Sequence, residues 1–115
     1  LYYTQRVGRD FVEKNLNNIS ASFQRAVIEV LVKKTLHAAE SFSIESVSVT
    51  GGVAANSQLR EEFFKEGKSR NLRIYFPPLD FCTDNGAMIA LAGGYRLERG
   101  ECSGLDLTAV PNLKL

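Results

Sequence analysis

Residues 46–60, SVSVTGGVAANSQLR, constrain the fold of this chain more than any other stretch. Valines alternating with small polar residues read as a short strand from Ser46 to Thr50, with Val47 and Val49 on one face. Gly51 and Gly52 end it, Val53-Ala54-Ala55 keep the turn small, and Asn56 opens a charged helical pattern. The sequence then repeats the plan. Leu72 to Phe76 reads as a second strand, and Pro77-Pro78 end it because proline cannot donate to a ladder. CTDNGAMIALAGG leads into a helix expected from Asp84 to about Glu98, with Gly100 as its stop. Strands alternating with helices predict an α/β fold with short parallel strands and right-handed crossovers. Both turns then leave the same end of their strands, the ligand edge of an open parallel sheet, and are expected to form one site.

The remaining pattern is helical. The segment to about Phe11 is expected to be a helix, and EKNLNNIS a loop ending in a helix cap near Asn18. Ile19, Phe23, Ala26, Val27, Val30 and Leu31 recur at helical spacing, predicting a helix to about Glu40 whose apolar stripe packs on the sheet. SFSIE is a connection. Gln58 to Glu66 reads as a charged helix with Leu59, Phe63 and Phe64 turned inward, broken by GKSRN. A single domain over residues 1–115 is expected: helices over 1–40, a βαβα core over 46–100 carrying both turns, and a tail over 101–115.

At 115 residues the chain can bury only a modest core, and its 44% apolar and 23% charged residues are ordinary for a globular protein. A net charge of +1 argues neither for nor against a polyanionic partner. No run approaches the roughly 20 apolar residues of a membrane span. Leu1-Tyr2-Tyr3 is not a charged region preceding an apolar core, so no signal peptide is expected. The chain begins without methionine and reads as part of a longer protein. Cys82 and Cys102 form no CxxC pair and no zinc-finger spacing, which predicts two reduced cysteines of cytosolic type. Arg60, Lys65, Lys68, Arg70 and Arg73, interspersed with Glu61, Glu62 and Glu66, read as a solvated helix face, with a phosphate-tracking patch as the sharper alternative.

Two turns carry candidate chemistry. Gly51 and Gly52 let a ligand approach the backbone closely. Asn56 offers an amide donor and a carbonyl acceptor, so it can cap the following helix or present its amide to a nucleobase or ribose. The nearby helix N-terminus favours a phosphate. In CTDNGAM, Thr83, Asp84 and Asn85 sit at the start of a helix that is apolar around its circumference and is expected to be buried with close backbone packing. A hard carboxylate there suits a metal ion. The bland alternative is that Asp84 or Thr83 caps the helix.

ASFQRAVIEVLVKKTLHAA, VTGGVAANSQLR and CTDNGAMIALAGG, in this order and at this spacing, resemble the threonylcarbamoyl-transferring enzymes that modify adenosine 37 of tRNA, a family long labelled O-sialoglycoprotein endopeptidases or glycoproteases. The resemblance runs from about Leu1 to Gly100. It implies a fragment of an actin-like/Hsp70-like ATPase lobe, corresponding to about the last third of a family member. It implies that Asn56, after Gly51 and Gly52, contacts the adenylate part of threonylcarbamoyl-AMP or ATP, and that Asp84 ligates a divalent metal, iron or zinc. As a Lewis acid that metal would orient the carbonyl attacked by the adenine amino group. The implied product is N6-threonylcarbamoyladenosine in tRNAs reading codons that begin with A.

The same resemblance implies tRNA as a partner, together with the protein's own N-terminal lobe. Bacterial members work with a related inactive subunit and a small ATPase, and mitochondrial ones can be homodimers. The expected compartment is the cytoplasm, with the mitochondrion as the alternative, and no membrane is involved. The family's other metal ligands form a His-x-x-x-His motif, whereas this chain has one histidine, His37, read as a surface or packing residue. One carboxylate does not hold zinc or iron tightly, so the chain alone is expected to be inactive. The alternative is a non-catalytic nucleotide-binding or scaffolding module of the same fold. Presence of both Asn56 and Asp84 argues against it, since idle relatives have no need of the metal aspartate. The protease label finds no nucleophile–base pair and no HExxH.

Overall fold

A computed structural model describes residues 2–110. Leu1 and the last five residues of the expected tail lie outside the described residues. The elements run α1 (Tyr2–Val7), α2 (Arg9–Lys14), α3 (Leu16–Ser41), β1 (Ser46–Ser48), α4 (Ser57–Ser69), β2 (Arg73–Tyr75) and α5 (Gly86–Glu98). Single 3-10 turns at Gly52–Ala55 and Leu79–Phe81 follow the two strands. Among the described residues, no helix is long and apolar enough to cross a membrane.

The opening helix is divided at Gly8, whose φ of 82° no L-residue adopts readily. The loop expected over EKNLNNIS is absent. Asn15 alone separates α2 from α3, its carbonyl accepting from Ile19 N at 2.9 Å, so Asn17 and Asn18 lie inside α3. Asparagine is a weak helix breaker, and a helix of 26 residues tolerates two of them in its exposed first turns.

The stripe of α3 that enters the core is not the expected one. Ile28, Val32, Leu36 and Ala39 are buried, whereas Phe23 is 72% exposed and Val30 and Leu31 also face outward. Both sets are helically spaced, and hydropathy alone does not choose between two apolar faces of one helix. The buried face packs chiefly on α4: Ile28, Val32 and Leu36 form one cluster with Leu59 and Phe63, flanked by Val49, Leu72, Ile74 and Phe76. Each such aliphatic or aromatic side chain taken from water contributes about 1.5–3 kcal/mol. Of the three residues expected to turn inward on α4, Leu59 and Phe63 do so. Phe64 is exposed, although its ring lies 5.4 Å from that of Phe76.

GKSRN ends α4 as expected, but at Ser69 rather than at Gly67. Gly67 is buried where β2 crosses the helix, and a Cβ there would meet Ile74 Cγ1 at 2.6 Å and the Leu72 carbonyl at 3.1 Å. It serves close packing rather than termination. The turn comes four residues later, at Asn71 with φ 55°.

β1 and β2 pair in parallel, Ser46 with Arg73, Val47 with Ile74 and Ser48 with Tyr75. Val49 N donates to Tyr75 O at 2.9 Å and Arg73 N to Glu45 O at 3.0 Å, extending the ladder at both ends. The expected α/β architecture with parallel strands alternating with helices is therefore present, and Val47 and Val49 share the more buried face.

The chain divides into two compact units, Leu1–Cys82 and Thr83–Leu115. In the second, α5 begins at Gly86 rather than Asp84 and ends as expected. Gly100, with φ 74°, donates to Leu97 O and Glu101 N donates to Arg96 O, a Schellman stop. The expectation that this helix is buried is wrong for this chain: none of its residues is buried, and Ile89 is 74% exposed. Its unit contains no other helix or strand among the described residues to cover an apolar surface.

Candidate functional site

The turn after β1 is built by Gly51 and Asn56. Gly51 has φ 87° and ψ 174°, a conformation reserved for glycine, and its carbonyl accepts from Ala54 N at 2.9 Å. Asn56 N then donates to Val53 O at 3.0 Å, closing a tight 3-10 turn around the fully buried Ala54. Asn56 itself is extended, and its Oδ1 accepts from Leu59 N at 3.0 Å. It is thus the N-cap of α4. That bond also fixes which way the amide points. The oxygen is committed to the helix, and Nδ2 has no hydrogen-bond partner among the described residues.

The segment after β2 is held by a residue the sequence did not single out. Arg60, read there as part of a charged helix face, is half-buried and turned toward the two turns. Its Nε donates to Ala54 O at 2.6 Å, and its Nη2 donates to Pro77 O at 2.8 Å and to Cys82 Sγ at 3.2 Å. The guanidinium lies over the Phe76 ring, 4.8 Å from its centroid. Cys82 is buried, and its Sγ also reaches Pro78 O at 3.5 Å. Spacing places Arg60 one helical turn after the Asn56 cap, but its partners Pro77 and Cys82 lie seventeen and twenty-two residues away, beyond the reach of local pattern.

The other cations of the cluster are exposed, and three of the four serve ion pairs: Lys65 with Glu62, Arg73 with Glu45, and Arg70 with both Glu66 and Glu40, while Lys68 forms none among the described residues. Hydrogen bonds to Glu66 and then Glu40 raise the Arg70 pKa above its ordinary value. That pairing ties the end of α4 to the end of α3.

Asp84 lies in the second unit, two residues past Cys82. It is exposed, and no hydrogen bond or ion pair engages it among the described residues. Neither Thr83 nor Asp84 caps α5. Asn85 does, accepting from Met88 N at 3.0 Å while its Nδ2 donates to Thr83 O at 2.9 Å. The Asp84 carboxylate is accordingly left free. Among the described residues no three or more His, Cys, Asp or Glu side chains come together to hold a metal ion. Asp84 offers one hard oxygen ligand, and these residues alone do not make a zinc or iron site. His37 is exposed on α3, and Cys82 and Cys102 are both free thiols.

Comparison with known proteins decides what these turns belong to. The family model of tRNA N6-adenosine threonylcarbamoyltransferase (TsaD) matches residues 4–91, a span that contains Gly51, Gly52, Asn56, Arg60 and Asp84. The chain belongs to that family. Curated members of the threonylcarbamoyltransferase family align over most or all of its length. The enzyme of Thermosipho africanus is 47% identical over 115 residues, covering 100% of this chain and 34% of the relative. That of Moorella thermoacetica is 46% identical over 115 residues, covering 100% of this chain and 33% of the relative. The Ralstonia pickettii protein is 56% identical over 81 residues, 70% of this chain and 23% of the relative. The chain thus spans about a third of the length of such threonylcarbamoyltransferases.

Proposed function

We propose that this chain is the C-terminal lobe of a tRNA-modifying enzyme that transfers threonylcarbamoyl from threonylcarbamoyl-AMP to N6 of adenosine 37, in tRNAs reading codons that begin with A. The observation that carries the reading is alignment of the entire chain, both turns included, with proteins named tRNA N6-adenosine threonylcarbamoyltransferase.

Local geometry supports a division of labour. The Gly51–Asn56 turn is the nucleotide-binding element. Gly51 supplies a backbone conformation closed to other residues, and Gly52 follows it without a side chain in the way. Asn56, its oxygen held by Leu59 N, contributes Nδ2 as a donor. It therefore recognises an acceptor on the adenylate, a ring nitrogen or ribose oxygen, rather than a donor. Asp84, free of any cap or ion pair among the described residues, is one ligand of a divalent iron or zinc ion. The remaining ligands, a His-x-x-x-His pair, belong to the N-terminal lobe. When bound, such an ion supplies Lewis-acid polarisation of the transferred carbonyl. The cytoplasm is the proposed compartment. A related inactive subunit with a small ATPase, or a second copy of the protein, completes the proposed assembly.

The test is direct. Full-length protein incubated with threonylcarbamoyl-AMP and a tRNA bearing adenosine 37 is expected to produce N6-threonylcarbamoyladenosine, detected by mass spectrometry of digested nucleosides. A full-length protein that binds the adenylate but never modifies tRNA would instead favour a scaffolding module.

A further inference from the structure

We infer that Arg60 is a positioning residue for the nucleotide-binding turn, setting the height and angle of Asn56 by clamping its turn to the segment that follows β2. The inference rests on the reading of that turn as the adenylate site. Three observations carry it. First, a single guanidinium donates to backbone on both sides, to Ala54 O at 2.6 Å and to Pro77 O at 2.8 Å. Ala54 lies two residues before Asn56, inside the 3-10 turn that Asn56 N closes onto Val53 O. Second, the guanidinium plane is fixed by stacking on Phe76, and a third donor contact reaches Cys82 Sγ at 3.2 Å. A planar fork locked in three directions holds its partners far better than a flexible ammonium. Third, Arg60 forms no ion pair among the described residues, although Glu61, Glu62 and Glu66 share its helix. Its positive charge is spent on the turns and not on the helix surface.

Asn56 is already bound to Leu59 N through its oxygen, so the remaining freedom of its Nδ2 is the freedom of the turn as a whole. Removing the clamp lets the turn tilt about Gly51 while the cap stays intact. The loss should fall on ground-state binding of the adenylate, and the chemical step should change little.

The experiment uses the full-length protein with Arg60→Lys, Phe76→Leu and Asn56→Ser variants. KM for threonylcarbamoyl-AMP and kcat of transfer are measured alongside backbone amide hydrogen exchange. For Arg60→Lys, KM is expected to rise about tenfold with kcat within about twofold. Exchange should quicken at Ala54 and Asn56 but not at Val32 in the core of α3. Phe76→Leu, which removes the ring beneath the guanidinium and keeps every donor, should shift both readings in the same direction by less. It carries the test if Arg60→Lys exchanges throughout α3 as an unfolding variant. Unchanged exchange at Ala54 and Asn56 overturns the clamp. Quickened exchange with wild-type KM overturns the positioning role while Asn56→Ser still raises KM. If Asn56→Ser leaves KM unchanged too, the adenylate reading of the turn has failed, and the inference falls with it.

Discussion

Arg60 Nη2 donates to the carbonyl of Pro77 at 2.8 Å, joining helix α4 to the end of strand β2 seventeen residues away. With the Nε bond to Ala54 O, this makes one side chain the link between the turns that end both strands. The parallel pairing of β1 and β2 makes the link geometrically available, because parallel strands deliver both turns to the same edge.

Arg60→Ala is expected to destabilise the fold by about 2 kcal/mol or more, since it strands acceptors that water does not reach freely and removes a stacked cation. Urea unfolding with an unchanged m-value reads this out. A change within about 0.5 kcal/mol, typical of a solvated surface residue, would return Arg60 to the charged helix face.

Asn56 combines a cap and an unengaged amide, and two substitutions separate them. Asn56→Ala removes the cap and should cost about 1 kcal/mol. Asn56→Ser keeps an oxygen for Leu59 N and should unfold within a few tenths of a kcal/mol of the parent, while losing adenylate affinity as measured by calorimetry. Equal affinity in the serine variant would reduce Asn56 to a structural cap.

Much of this arrangement was legible before any coordinates. The strands at Val47 and Ile74, the Gly51 turn and the Gly100 stop follow from chemistry acting within a few residues, and the parallel pairing follows from the alternation of strands with helices. What was not legible depended on partners. The α3 helix carries two apolar faces, and only packing on α4 selects Ile28, Val32 and Leu36 over Phe23 and Val30. Gly67 looks like a helix breaker until Ile74 is seen against it. Arg60 is indistinguishable from its charged neighbours until the fold brings Pro77 and Cys82 to it. The alternative that Asp84 or Thr83 caps the helix fails, because Asn85 takes that place and leaves the Asp84 carboxylate unengaged among the described residues.

Gly67→Ala gains helix propensity and should nevertheless destabilise, by about 1–3 kcal/mol, because the new methyl meets Ile74 Cγ1 at 2.6 Å. Thermal unfolding checks the sign. The pair Gly67→Ala with Ile74→Ala, which removes Cγ1 and Cδ1 together, should cost less than the sum of the two single changes, as expected of residues in contact.

The central claim concerns Asp84, and the most direct measurement compares wild-type and Asp84→Ala full-length protein for bound iron and zinc, melting temperature and N6-threonylcarbamoyladenosine formation. Asp84 is exposed and has no hydrogen-bond or ion-pair partner among the described residues, so the stability of the metal-free form should stay within about 0.5 kcal/mol. Metal content and tRNA modification should both be lost. An Asp84→Ala protein that retains its metal and modifies tRNA at the wild-type rate would contradict the account.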